Sequence, residues 1–110
     1  MTTEDMVERF IDEGIRAYKK NYRNRSLYAR KLDRHEPIEI DGNEFTCWRE
    51  YVCYKMAQYI MEILPTCNIS VDLDGNNTQL RLELTDNEQR KLNGSLFSFL
   101  RRVKCLAERN

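Results

Sequence analysis

Residues 44–64 place the tightest limit on what this chain can fold into. Phe45, Trp48, Val52, Met56, Tyr59, Ile60 and Ile63 recur along one face at helical spacing, and Cys53, Ala57 and Leu64 widen that face to roughly half the helix circumference. A helix this apolar cannot lie on a surface. It is expected at the centre of the fold, packed on two sides and stopped by Pro65.

The remaining elements follow from their own periodicities. Residues 4–24 read as an amphipathic helix, with Val7, Ile11, Ile15, Tyr18 and Tyr22 in register and Thr3 as the expected N-cap. That helix continues or restarts through residues 26–32, and His35-Glu36-Pro37 ends it, because a residue before proline avoids the α region. Ile38-Glu39-Ile40 is a short strand closed by the turn pair Asp41-Gly42. Further on, Ile69, Val71 and Leu73 alternate with polar residues, as do Leu80, Leu82 and Leu84. A two-residue turn at Asn76-Asn77 pairs Leu73 with Leu80, Val71 with Leu82 and Ile69 with Leu84, so one hairpin face is buried and Asp72 faces Arg81 on the other. Thr85 and Glu88 form a capping box that opens a last helix running towards Glu108, with Leu92, Leu96, Phe99, Leu100, Val103 and Leu106 as its buried stripe. The expected fold is α+β, a single domain over residues 1–110. Its order is α-β-α-β-β-α, with three main helices and one small antiparallel sheet.

Charge is where the sequence departs from the ordinary. The 110 residues hold 18 Lys and Arg against 18 Asp and Glu, yet the two signs are separated along the chain. Residues 1–15 carry five acids against Arg9; residues 16–35 carry eight bases against Asp33. Residues 36–88 carry eleven acids against three bases, and residues 89–110 carry six bases against Glu108. Zero net charge argues against a generic polyanion binder at the level of the whole chain. The local picture differs. Arg9, Arg16, Lys19, Lys20 and Arg23 project within about 100° of one another, opposite the apolar stripe of the first helix, at about 100° per residue. Arg101 and Lys104 share a direction with Phe97 on the last helix.

Little in the sequence points to chemistry. There is no glycine-rich phosphate loop, nucleophile elbow or paired histidine ligand, and His35 is the only histidine. Cys47, Cys53, Cys67 and Cys105 lack the close pairing that lets one turn grip a zinc ion, so buried, reduced thiols are expected. No cofactor, metal or catalysis is expected. No apolar run reaches the roughly 18 residues of a membrane span, and the acidic start does not read as a signal peptide, so an intracellular chain is expected.

Two surfaces compete for a binding role. Tyr51, Tyr54 and Met61 interrupt the polar arc of the central helix that also holds Glu50, Lys55, Gln58 and Glu62, and with Phe97 they have the composition of a protein contact. The competing reading is that another element covers them. The basic stripe, interleaved with Tyr28 over residues 16–34, suits an acidic protein or nucleic acid, unless the acids of residues 36–88 neutralise it. The leading expectation is a small interaction module that binds a protein partner and pairs with itself as a homodimer. The alternative is a nucleic-acid-binding protein.

Overall fold

A computed structural model describes residues 2–22 and 27–108. In chain order the elements are α1 (Thr3–Tyr22), α2 (Leu27–Asp33), β1 (Ile38–Ile40), β2 (Asn43–Phe45), α3 (Trp48–Ile63), β3 (Asn68–Asp72), β4 (Gln79–Glu83) and α4 (Asp86–Glu108). The class is α+β. Among the described residues there are four helices where three main ones are expected, and the strands form two separate antiparallel pairs, β1–β2 and β3–β4, instead of one small sheet.

The first hairpin corrects the start of the central helix. Asp41 and Gly42 both take positive φ, 53° and 79°, which is the backbone of a two-residue hairpin turn matched to strand twist. Ile40 therefore pairs with Asn43 and Ile38 with Phe45. Residues expected to begin the helix at Glu44 are drawn into the ladder, and α3 starts at Trp48. Phe45 is fully buried from the strand side, its ring 5.0 Å from that of Tyr54 and 5.9 Å from that of Tyr51.

Glu50 is a second correction. Expected on the polar arc of α3, it is buried. The Thr46 N–H and hydroxyl donate to its Oε1 at 2.7 and 2.6 Å, and the Gly75 N–H donates to Oε2 at 3.3 Å. Its neighbour Arg49 reaches the other way, with Nε donating to the Thr78 carbonyl at 2.8 Å and the guanidinium paired with Glu8 and Asp12 of α1. Two adjacent charged residues thus tie α3 to α1, to the loop before it and to the β3–β4 loop.

That loop explains why the second hairpin has shifted register. Ile69 pairs with Leu82 and Val71 with Leu80, two residues away from the pairing that an Asn76-Asn77 turn requires. A shift of two keeps every apolar side chain on the same face, so the alternation holds while the turn does not. The connection spans residues 73–78 and closes on Thr78, which is fully buried. The Thr78 hydroxyl donates to the Gly75 carbonyl at 2.7 Å and accepts from the Asp74 N–H at 2.9 Å. Leu73, freed from its expected partner, is 46% exposed. Arg81 still reaches Asp72, Nε to Oδ2 at 3.0 Å, now as a diagonal neighbour.

Capping follows local rules. Thr85 and Glu88 exchange hydrogen bonds at the start of α4, at 2.9 and 3.2 Å. The same exchange opens α1 one residue earlier than expected, between Thr2 and Asp5 instead of at Thr3. Those bonds from Thr2 hold the Asp5 carboxyl below the usual carboxylate range. The core gathers Val7, Phe10 and Ile11 of α1, Val52, Met56 and Ile60 of α3, and Leu92, Leu96, Phe99 and Val103 of α4 around one centre. Gly14 permits the approach: a Cβ there would lie 3.1 Å from Val52 Cγ1 and 3.3 Å from Phe99 Cε1. Leu106 and Cys105 lie outside the described side chains.

Candidate interaction surfaces

The apolar residues expected to form one contact face are distributed over several. Tyr51 is half-buried, with ring contacts to Tyr18 at 5.4 Å, Phe45 at 5.9 Å and Trp48 at 6.3 Å. Tyr54 is half-buried against Phe45, and its hydroxyl accepts from Gln58 Nε2 at 2.8 Å. Phe45 of the β1–β2 hairpin therefore covers both tyrosines, with Tyr18 and Trp48 adding to the cover of Tyr51, and a three-residue strand has too short a period to announce itself in the sequence. Met61, further along α3, is 47% exposed. Phe97 on α4 is 66% exposed, yet its ring meets that of Phe10 on α1 edge to face at 5.0 Å.

The basic stripe survives folding as a solvated face. Arg9, Arg16, Lys19 and Lys20 are all exposed. Arg9 pairs with Glu13 at 3.3 Å within the same helix. None of the ion pairs formed among the described residues takes Arg16, Lys19, Lys20 or Arg101. Three of the eleven acids of residues 36–88 are engaged elsewhere: Asp72 with Arg81, Glu62 with Arg102 at 2.7 Å, and Glu50 with backbone N–H groups and the Thr46 hydroxyl. Arg23 lies outside the described residues, and so does the side chain of Lys104. Arg101 is exposed, whereas Arg102 lies over the Tyr59 ring at 4.9 Å and belongs to the α3–α4 packing.

An aromatic pocket was not legible in the spacing. Tyr18, Tyr28, Ala29, Leu32, Ile40, Trp48 and Tyr51 line a recess of about 80 Å³ where α2 crosses the first hairpin. Trp48 is oriented there by its Nε1–H, which donates to Asp33 Oδ1 at 2.6 Å. Tyr28 is 51% exposed at the rim. Four rings from three helices converge, a coincidence that no periodicity encodes.

A larger groove of about 760 Å³ runs between the first half of α1 and the β3–β4 pair. All five residues of β4 line it, together with Glu4, Asp5, Glu8, Val7 and Ile11 of α1. Cys47 borders a recess of about 290 Å³ lined by residues of α1, α2 and α3. Cys47 and Cys53 are buried, and burial pushes the Cys53 thiol up to about 11. Burial also raises Cys67, with Glu88 adding to the shift. His35 is exposed at positive φ in the turn after α2. Among the described residues, no group of three His, Cys, Asp or Glu side chains is placed to hold a metal ion, and no helix is long and apolar enough to cross a membrane.

Compared with protein-family models, curated proteins and solved structures, the chain matches none.

Proposed function

We propose that this chain is an interaction module of the cell interior that binds a protein partner and has no catalysis of its own. The seam between α1 and α4 is the contact surface. The observation that carries this reading is Phe97, a large ring left 66% exposed on a helix whose apolar stripe is otherwise buried. Aromatic side chains with arginine neighbours are the residues that most often anchor protein interfaces, since they bury much area at small entropic cost. Arg90 and Arg101 occupy the same arc of α4 as Phe97, and the unpaired bases Arg16 and Lys20 lie on the neighbouring helix. The partner surface is accordingly acidic. Self-pairing as a homodimer belongs to the same proposal, because Met61 and Phe97 leave apolar area uncovered.

A second reading rests on the aromatic recess. Tyr28 and Trp48 line it on or beside α2, whose Arg30 is exposed, and Lys19 and Lys20 of α1 lie close by in sequence to Tyr18. Rings for unstacked bases beside cations for phosphates are what single-stranded nucleic acid binding uses.

One experiment separates the two. Affinity capture is run with and without nuclease, using the native chain and the double variant Phe97→Ala, Arg101→Glu. Protein binding through the seam predicts a partner that resists nuclease and is lost from the double variant. A partner that disappears with nuclease and survives the double variant transfers the function to the recess.

A further inference from the structure

We infer that the groove between α1 and β4 is a docking site for an extended, basic segment of another protein, which adds to β4 as a third strand. This surface is separate from the α1–α4 seam and stands or falls without it.

The opening is built from a strand edge. β4 pairs with β3 along one edge, and among the described residues the β3–β4 sheet has no further strand, so the other edge of β4 carries backbone groups with no strand partner there. Residues 79–83 all line the groove, which means that both its inner-facing and outer-facing side chains border the free space. Edge strands are blunted by charged side chains, above all lysine, by proline or by a bulge; β4 has no lysine, proline or bulge, and its two charged residues are Arg81, paired with Asp72, and Glu83. An incoming strand finds main-chain partners there, and main-chain pairing is what gives strand-addition complexes their affinity.

Side chains then select the occupant. Along one wall the groove offers the half-buried Leu80 and Leu82, beside Val7 and Ile11 of α1, which the core already covers. A strand laid on β4 points alternate side chains to that wall, so those positions suit valine, isoleucine or leucine. The intervening positions face carboxylates. Glu4, Asp5, Glu8 and Glu83 line the groove, and the one base there, Arg81, is already paired with Asp72. Asp5 is engaged by Thr2 and Glu8 by Arg49, while Glu83 accepts only an exposed bond from Asn68 at 3.1 Å. The rim is therefore acidic, and lysine or arginine complements it. A second copy of this chain is a poor occupant. Pairing β4 with itself about Arg81 sets two guanidiniums opposite each other and brings the carboxylates of both grooves together.

The probe is a capped peptide of alternating valine and lysine, about eight residues long to suit a strand of this size. Binding is read by fluorescence anisotropy and by amide chemical shifts on the full chain. Expected are saturable binding, shifts concentrated at residues 79–83, loss of binding when alternate peptide amides are N-methylated, and no binding when glutamate replaces lysine. The variant Glu4→Lys, Glu83→Lys should bind at least about tenfold more weakly, since both carboxylates are exposed and their reversal leaves the fold intact. The variant Phe97→Ala, Arg101→Glu should bind as the native chain does. Equal binding of the N-methylated peptide would overturn strand addition, and equal binding by the charge-reversed variant would overturn the basic occupant. Concentration-dependent shifts at residues 79–83 without peptide would make the occupant a second copy, and the proposal would be wrong.

Discussion

Two glycines show how much a single position depends on its surroundings. Gly14 and Gly94 both lie inside helices, where glycine costs about 1 kcal/mol against alanine. At Gly94 a Cβ would meet nothing within 4 Å. Gly94→Ala should therefore stabilise by about 1 kcal/mol, read as a higher denaturant midpoint at unchanged slope. At Gly14 the same methyl would press on Val52 and Phe99, and overpacking costs about 1–3 kcal/mol, more than the helix gains. Gly14→Ala should lower the midpoint. Cys53 offers a test of burial by chemistry. Its thiol is raised from 9.0 to about 11, so at pH 8 its thiolate population is about a hundredfold below that of an unshifted thiol. Iodoacetamide should modify the half-buried Cys67 before Cys53, which it reaches only on unfolding. The same shift carries a sign for stability. The unfolded thiol ionises near 9 and the folded one near 11, so this contribution is whole below pH 9 and is lost as pH rises towards 11. An alkaline melt series should show the loss, and Cys53→Ala should flatten it.

Among the elements, the β3–β4 hairpin and its loop are the most demanding. Val71 sits on the packed face and Asp72 on the exposed one. Val71→Asp should unfold the domain by placing a charge against the core, whereas Asp72→Ala should cost well under about 1 kcal/mol, because its pair with Arg81 is solvated on both sides. Equal, small effects in denaturant melts would mean that the hairpin face is not packed. Thr78→Val keeps the shape of the side chain but strands the Asp74 N–H and leaves the Gly75 carbonyl only the Thr78 N–H at 3.3 Å, and should cost about 1–3 kcal/mol. Glu50→Ala should cost a similar amount, since three donors from two loops lose one buried carboxylate. The prediction distinguishes a buried structural acid from the exposed one that its position on the helix suggests.

For the whole molecule, the separated charges are the feature with consequences. Glu8 and Asp12 are drawn to Arg49, so the acidic half of α1 is tied to α3 while its basic half faces solvent. Reversing Arg16, Lys19 and Lys20 to Glu should leave the melting temperature nearly unchanged, because none of them has an ion-pair partner among the described residues. Binding to an acidic partner should fall and lose its dependence on ionic strength. A large drop in melting temperature would show the stripe to be structural. Light scattering at micromolar concentration tests the proposed homodimer, and a clean 13.2 kDa species would end it.

What the sequence determined alone is whatever repeats at a fixed period or is settled within four residues. Val7, Ile11 and Tyr18 of the first stripe, the buried run of α3 from Val52 to Ile60, the alternation of Ile69, Val71, Leu80 and Leu82, and the Thr85–Glu88 box are all of this kind, and all stand in the structure. The sign of each segment's charge is equally local. Tertiary structure decided the rest, through partners far apart in sequence. A helical pattern over residues 44–64 could not show that Asn43–Phe45 would pair with Ile38–Ile40, because three-residue strands have no period of their own. Asn76-Asn77 has the composition of a tight turn, but Glu50 holds the Gly75 amide and Arg49 holds the Thr78 carbonyl across 25 and 29 residues, so the loop widens and the register moves by two. The pairing of β1 with β2 likewise brings Phe45 over Tyr51 and Tyr54. Periodicity decides which residues a helix or strand must bury; only packing decides which surfaces are left over to bind something else.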